Sequence, residues 1–175
     1  VLLVAILFLL IPVSDDVDAE VFEVDCFYYN VIDDEAWVVG KGPTHAHNPT
    51  IPETIVVSGY EYSVVGIIEG SFNECSSISG TLTLPSTIKT IFANSFSDCD
   101  LITSVVIYSG YLYSGAFSDC SSLESIDLRK DVEYESSVFS NCSSVCSINY
   151  DSDYVIGSMV SPFSNINSSS IVEIT

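Results

Sequence analysis

The chain has 175 residues, of which 47% are hydrophobic, so it can form a single domain with its own core. It has 24 acidic residues and only four basic ones, which gives a formal net charge of −20. This charge opposes binding to nucleic acid and to anionic membrane surfaces, so we expect neither as a partner of the folded domain.

The first 19 residues predict a secretory signal peptide. Residues 1–13 are almost wholly apolar, yet this run is shorter than the ~20 residues that a membrane-spanning helix needs. An acidic segment follows at once, and Val17-Asp18-Ala19 offers small residues at a cleavage position. The alternative is that residues 1–13 form a buried strand of the fold. The acidic residues that follow offer no neighbouring strand with which it could pair. We therefore expect a mature chain that begins at Glu20 and is secreted or held at the cell surface.

Residues 20–50 predict an N-terminal cap. Two extended runs, Phe22 to Tyr28 and Ala36 to Gly40, are separated by the turn residues Asp33-Asp34 and predict a β-hairpin. A stack of repeats leaves strand edges and apolar surface open at its end rung, so such an end needs a cover. We expect the hairpin and the loop that follows it to provide this cover.

A repeated pattern occupies residues 51–175. Its incomplete first unit, Ile55 to Ile68, predicts two strands around Ser58-Gly59. The spacing Phe-x-x-Cys-x-x-Leu-x-x-Ile-x-Leu then recurs, with Ile166 in place of the cysteine in the last unit. A period of about 20 to 29 residues with this ending is typical of a leucine-rich-repeat solenoid. The phenylalanines that mark the period are 21 to 24 residues apart: Phe72, Phe96, Phe117, Phe139 and Phe163.

The spacing within one unit predicts the shape of each rung. Apolar steps of three predict a tight turn or one helical or 3-10 turn, and the final step of two predicts a short parallel strand. A second apolar element, such as Ile88 to Ile91, predicts another short strand. One unit cannot bury its apolar edge alone, so neighbouring units stack Phe over Phe and Cys over Cys. We predict an α/β repeat fold: a β-rich solenoid of about five rungs with a hairpin cap and an uncapped C-terminal end.

The repeat also resembles a known family. Its spacing, together with the Pro-Ser-x-Ile-x-x-Ile segment at residues 85–91, is similar to the BspA-like leucine-rich repeats of surface and secreted proteins in bacteria and protists. The runs Phe22 to Asn30 and Tyr62 to Ile67 resemble that family's N-terminal module. The resemblance covers residues 20–175 and departs from the family's pattern at residues 108–115. It implies adhesion to host proteins or other cells, without shared catalytic residues.

Four of the six cysteines fall in one column of the repeat. Stacked about 4.8 Å apart they come close enough for disulfides, but parallel side chains in register keep their Cβ atoms too far apart. We expect buried thiols, while secretion favours disulfides as the alternative. Zinc binding is not expected, because no Cys-x-x-Cys pair is present. The column consists of Cys75, Cys99, Cys120 and Cys142.

No catalytic, cofactor-binding or metal-binding residue is predicted. His45 and His47 lack a third ligand, and Asp151-Ser152-Asp153 lacks the glycine and glutamate of a calcium loop. The sequence has no Gly-x-Ser-x-Gly motif for a nucleophilic serine. Paired carboxylates that cleave polysaccharide need a structure to be judged, so a polysaccharide-active solenoid stays as the enzyme alternative.

The strands of the repeat provide the candidate binding face. Side chains alternate along a strand, so the positions that flank the central Ile of each unit point to solvent. We expect them to bind a protein or glycan ligand through a broad or multivalent contact. The rival site is the aromatic edge at Tyr108, Tyr111 and Tyr113, and the rival function is a surface coat or spacer without a ligand. The predicted face consists of Thr81, Thr83, Ser104, Val106, Ser125, Asp127, Ser147 and Asn149.

Overall fold

Ten β-strands stack along the part of the chain that the computed structural model describes, residues 20–42 and 50–150. The predicted signal peptide, His45, His47, Asp151-Ser152-Asp153 and the fifth repeat unit lie outside these residues. The strands are β1 (Val21–Val24), β2 (Phe27–Ile32), β3 (Glu35–Lys41), β4 (Thr54–Val57), β5 (Tyr60–Ile67), β6 (Gly80–Thr83), β7 (Thr90–Ile91), β8 (Ile102–Leu112), β9 (Ser125–Tyr134) and β10 (Ser147–Tyr150).

The first three strands form an antiparallel meander. Two-residue turns at Asp25-Cys26 and Asp33-Asp34 connect them, and all four residues have φ between 45° and 77°. Turns with two left-handed residues match the twist of paired strands, and aspartate tolerates this conformation. The sequence predicts one strand from Phe22 to Tyr28, whereas the structure divides this run between β1 and β2. β3 then pairs in parallel with β5 and joins the meander to the stack.

Parallel strands form two sides of each rung. On the first side, which we call the strand face, β6 pairs with β8, β8 with β9, and β9 with β10. The second side consists of β5, β7 and the later parts of β8 and β9. A register shift between Ile107 and Ser109 marks the corner at which β8 passes from one side to the other. The predicted β-solenoid is therefore confirmed.

The third side, which we call the turn side, consists of residues 69–74, 93–98, 114–119 and 136–141. Within a rung, the Asn73 N–H donates to the Gly70 carbonyl at 3.1 Å. Between rungs, the Phe72 N–H donates to the Ser95 carbonyl at 2.8 Å. The predicted helical or 3-10 turn is not found, since the described residues contain no helix. The turns form hydrogen bonds to the next rung instead. The described part is all-β rather than α/β.

Left-handed residues explain why no helix forms on the turn side. Each turn carries two residues with positive φ, and L-residues in this conformation interrupt a right-handed helix. Glycine, asparagine and aspartate adopt it at least cost and hold most of these positions. The eight residues are Gly70, Glu74, Asn94, Asp98, Gly115, Asp119, Ser137 and Asn141, with φ between 54° and 73°.

A file of phenylalanine rings runs through the core. Phe72 and Phe96 stack with centroids 4.9 Å apart and ring planes 8° apart, and Phe96 and Phe117 repeat this at 4.9 Å and 6°. Phe139 continues the file at 5.3 Å from Phe117. Phe27 of the meander meets Phe72 edge-on at 5.7 Å and 89°, so the ring of the meander covers the end of the file.

The cysteine column lies beside the phenylalanine file. The Sγ of Cys99 donates to the Phe72 carbonyl oxygen at 3.1 Å, and Cys120 repeats this contact with Phe96 at 3.2 Å. Cys142 donates in the same way to Phe117. These three thiols are buried, and all six cysteines, each within the described residues, are free. Three of the four column thiols are therefore buried as expected, and each of these three contacts the rung before it. Cys75 is half-buried and contacts the Ser77 hydroxyl of its own rung at 3.2 Å.

Candidate functional site

The strand face presents two straight rows of outward side chains. In the first row, Thr81, Ser104, Ser125 and Ser147 are paired in register across four strands. In the second row, Thr83, Val106, Asp127 and Asn149 are paired in the same way. The two threonines are exposed and the other six residues are half-buried. All eight predicted positions therefore lie side by side on one surface.

Inward residues between the two rows anchor this surface to the core. They alternate with the outward positions and pack into the core, so each strand has one solvated and one buried face. Neighbouring parallel strands lie about 4.8 Å apart, which sets the spacing along each row. The inward residues between the two rows are Leu82, Val105, Ile126 and Ile148, each at most 4% exposed.

One charged cluster interrupts the small polar rows. Arg129 Nη2 donates to Asp127 Oδ2 at 2.8 Å, and Asn149 Nδ2 donates to the other carboxylate oxygen of Asp127 at 3.4 Å. The Arg129 guanidinium lies 5.9 Å from the centroid of the Tyr108 ring, which is within range of a cation–π contact. The cluster joins the second row to Tyr108. Sequence reasoning missed Arg129, although its position two residues after Asp127 on one strand places both on the same face.

The predicted aromatic edge divides into two parts. Tyr113 stacks on Phe92 at 5.0 Å, and Phe92 lies 6.2 Å from Trp37, so these rings form a second aromatic stack between rungs. Tyr111 meets Tyr113 edge-on and contacts Glu135, and burial followed by the charge of Glu135 raises its pKa. Tyr108, by contrast, is 43% exposed. Of these three tyrosines, Tyr108 is therefore the one best placed to meet a partner.

An open groove borders the strand face beside Tyr108. It has a volume of about 450 Å³, and we call it the corner groove. Buried apolar residues form its floor, and polar residues line its rim. Its lining residues are Thr50, Ile51, Pro52, Glu53, Thr83, Leu84, Pro85, Ser86 and Tyr108.

Two observations on the described residues concern metal binding and the reactivity of one buried thiol. Within residues 20–42 and 50–150, no group of three His, Cys, Asp or Glu side chains is placed to hold a metal ion. Burial raises the pKa of Cys99 to about 12, so its thiol stays protonated near neutral pH. No helix in this part of the chain is long and apolar enough to cross a membrane.

Comparison with known proteins identifies the repeat. The family described as "BspA type Leucine rich repeat region" matches residues 54–172 in six copies. Among solved structures, a leucine-rich repeat protein from Bacteroides capillosus is 18% identical, with a TM-score of 0.50 over 88% of this chain and 96% of that one. A T. pallidum leucine-rich repeat protein is 17% identical, with a TM-score of 0.53 over 74% of this chain and 71% of that one.

Another similar structure is a leucine rich cell surface protein from Faecalibacterium prausnitzii. It is 16% identical, with a TM-score of 0.49 over 80% of this chain. This chain spans 56% of the length of that protein. No curated protein matches the chain.

Proposed function

Because this chain belongs to the BspA-type leucine-rich-repeat family, we propose that it is a secreted or cell-surface protein that adheres to a ligand through its strand face. Repeats of this family are typically non-enzymatic, so the proposed role is binding without catalysis. Leucine-rich-repeat proteins generally bind protein ligands, which favours a protein over a glycan. A surface location is the one that the predicted signal peptide and the family resemblance imply.

The observation that carries the proposal is the register of the two outward rows. Thr81 to Ser147 and Thr83 to Asn149 repeat the same surface on four rungs. A partner with its own repeated or extended surface can engage several rungs at once, and such multivalent contacts add avidity without new chemistry. The strands that carry the two rows are already fixed in the stack. Binding therefore costs little further ordering of the protein.

The same proposal assigns a role to each of three segments of the chain. Residues 1–19 direct export, residues 20–50 cap the stack and residues 51–175 form the binding repeats. The edge contact of Phe27 with Phe72 supports the capping role, since it covers the terminal ring of the file. The parallel pairing of β3 with β5 supports it as well, since it occupies an edge that would otherwise recruit other strands.

The proposal can be tested with a variant that places two lysines on the strand face. Beads coated with the Val106→Lys/Asn149→Lys variant, whose two positions do not line the groove beside Tyr108, are incubated with epithelial cells and with bacterial cells, beside beads coated with the wild-type protein. Because both long cationic chains stand in the second row, attachment should fall about fivefold or more. A matched control, Ser114→Lys/Ser136→Lys, adds the same charge at exposed positions on the turn side and should attach like the wild type.

Equal attachment by the wild type and the strand-face variant would contradict the proposal, provided that both unfold at the same temperature. Wild-type beads that attach no better than uncoated beads would favour a coat or spacer without a ligand.

A further inference from the structure

We propose that the corner groove receives a lysine or arginine side chain of the partner protein. This inference rests on the proposed binding function and adds the chemistry of the partner. The groove lies directly beside the second outward row, because Thr83 belongs to both. A partner that covers the strand face therefore passes over the groove.

The floor of the groove suits the aliphatic stem of a long cationic side chain. Pro52 and Pro85, both half-buried, give the groove its accessible apolar surface, and the buried Ile51 and Leu84 lie beneath them. Lysine and arginine place their methylene stems along apolar surface while the charged head stays near water.

The rim supplies an anionic partner for the charged head. Glu53 is exposed, and a hydrogen bond from the Ser86 hydroxyl at 3.2 Å reaches its carboxylate. The ion pairs of the described residues are Lys89 with Glu35 and Arg129 with Asp127, so neither neutralises Glu53. Hydrogen bonds from an incoming cation to this carboxylate would be charge-assisted.

Tyr108 gives the groove an aromatic wall. One guanidinium, that of Arg129, already lies over this ring, and the bond from Arg129 to Asp127 holds it there. The ring is still 43% exposed and lines the groove. Aromatic faces attract cations, so an incoming head group finds a ring on one side and a carboxylate on the other.

Charge decides among the occupants that an apolar groove could take. The net charge of −20 draws cationic partners and repels acidic ones. A neutral sugar would form no ion pair with the Glu53 carboxylate. A cationic side chain uses the floor, the carboxylate and the ring together.

Nuclear magnetic resonance with a minimal probe tests the inference. The isotope-labelled protein is titrated with a blocked Gly-Ser-Gly-Arg-Gly-Ser-Gly peptide and with the same peptide carrying neutral citrulline in place of arginine. The arginine peptide should shift the amide signals of residues 51–53 and 83–86, apart from the prolines, and bind at least fivefold more tightly than the citrulline peptide.

Two variants locate the site. Glu53→Gln should weaken binding of the arginine peptide at least threefold, and Tyr108→Leu should weaken it in the same direction. Glu61→Gln removes the same charge at an exposed position of β5 that does not line the groove, and it should bind like the wild type. Thermal melts confirm that each variant is folded.

Three results would overturn the inference: shifts spread over the whole acidic surface, equal binding of both peptides, or equal loss in Glu53→Gln and Glu61→Gln. No shift at millimolar peptide would overturn it as well. The bead assay separates this failure from failure of the proposed function. The strand-face lysines could abolish bead attachment while the arginine peptide causes no shift at the groove. In that case the strand face binds the ligand and the groove does not.

Discussion

Two carboxylates on or beside the turn side have pKa values that are shifted in opposite directions. Loss of surrounding water raises the pKa of Asp98, and the charges of Asp119, Glu74 and Asp100 raise it further. The pKa of Asp100 is lowered, because the Ser121 hydroxyl and backbone N–H both donate to its carboxylate. Two carboxylates on neighbouring positions therefore affect stability in opposite directions.

We expect Asp98→Asn to raise the melting temperature at pH 7 and Asp100→Asn to lower it. A raised pKa in the fold means that ionised Asp98 opposes folding, so the contribution of this group is lost as pH rises through its folded pKa. A lowered pKa means that ionised Asp100 favours folding, and this contribution is lost as pH falls. Asparagine is also well suited to the left-handed φ of 57° at position 98.

The check is a set of thermal melts of both variants and the wild type at pH 7 and at about pH 3, below the ordinary carboxyl range. The Asp98→Asn difference should shrink at the lower pH, because the raised pKa leaves this carboxyl protonated there. The Asp100→Asn difference should persist to lower pH, because the lowered pKa keeps more of that carboxyl ionised. Shifts of the same sign at pH 7 would contradict this assignment of the two charges.

Three cysteines of the column repeat one contact between neighbouring rungs. Each buried thiol of Cys99, Cys120 and Cys142 donates to a phenylalanine carbonyl of the preceding rung. The thiol adds a weak hydrogen bond between rungs, and the Phe72 carbonyl also accepts from the Cys75 N–H at 3.0 Å. A small apolar side chain with one weak donor fits this place better than alanine or serine.

At the scale of elements, a close contact joins the N-terminal meander to the solenoid. Gly66 on β5 lies against the Trp37 ring of β3, and a Cβ at position 66 would come within 2.2 Å of Trp37 Cζ3. Trp37 in turn approaches Phe92, the next ring of the second aromatic stack. A side chain at position 66 therefore forces the meander and the first rung apart.

We expect Gly66→Ala to destabilise the protein by about 1–3 kcal/mol, which is typical of overpacking a core. Chemical denaturation measures the loss. Trp37 is the only tryptophan of the chain, so its fluorescence should also shift toward that of an exposed ring. In a Trp37→Leu background the same change should cost less, because the ring that it strikes is absent. Equal costs in both backgrounds would show that the contact is not the cause.

The elements that the sequence predicts best are those set by a strict period. The step of two in Leu-x-x-Ile-x-Leu fixes which side chains alternate, and the repeat length fixes their register, so both outward rows could be placed. The steps of three allowed a tight turn or a helical turn, and the described residues contain the tight turn without a helix. Residues such as Gly70, Asp98 and Asp119 carried the signal against a helix, since these types favour left-handed φ.

Other features depend on contacts that no local pattern encodes. The edge contact of Phe27 with Phe72 joins elements 45 residues apart in the chain. The placement of Tyr108 beside Arg129 arises where the register shift after Ile107 turns the strand at a corner. The corner groove likewise needs residues 50–53 to lie against the first full rung.

At the scale of the whole molecule, function and stability depend on the same stacking. The phenylalanine file holds the rungs in register, and that register aligns the outward rows. The high negative net charge of the chain favours cationic partners. A repeat that slipped by one residue would turn the apolar rows outward and remove the binding face together with the core.

Proton–proton contacts between aromatic rings test this stacking most directly. With phenylalanine rings labelled, nuclear Overhauser effects should link Phe72 to Phe96, Phe96 to Phe117 and Phe117 to Phe139, whose centroids are 4.9 to 5.3 Å apart. No effect should link Phe72 to Phe117, which lie two rungs apart. The absence of the three neighbouring contacts, or a direct contact between Phe72 and Phe117, would contradict the stacked arrangement and the binding face built on it.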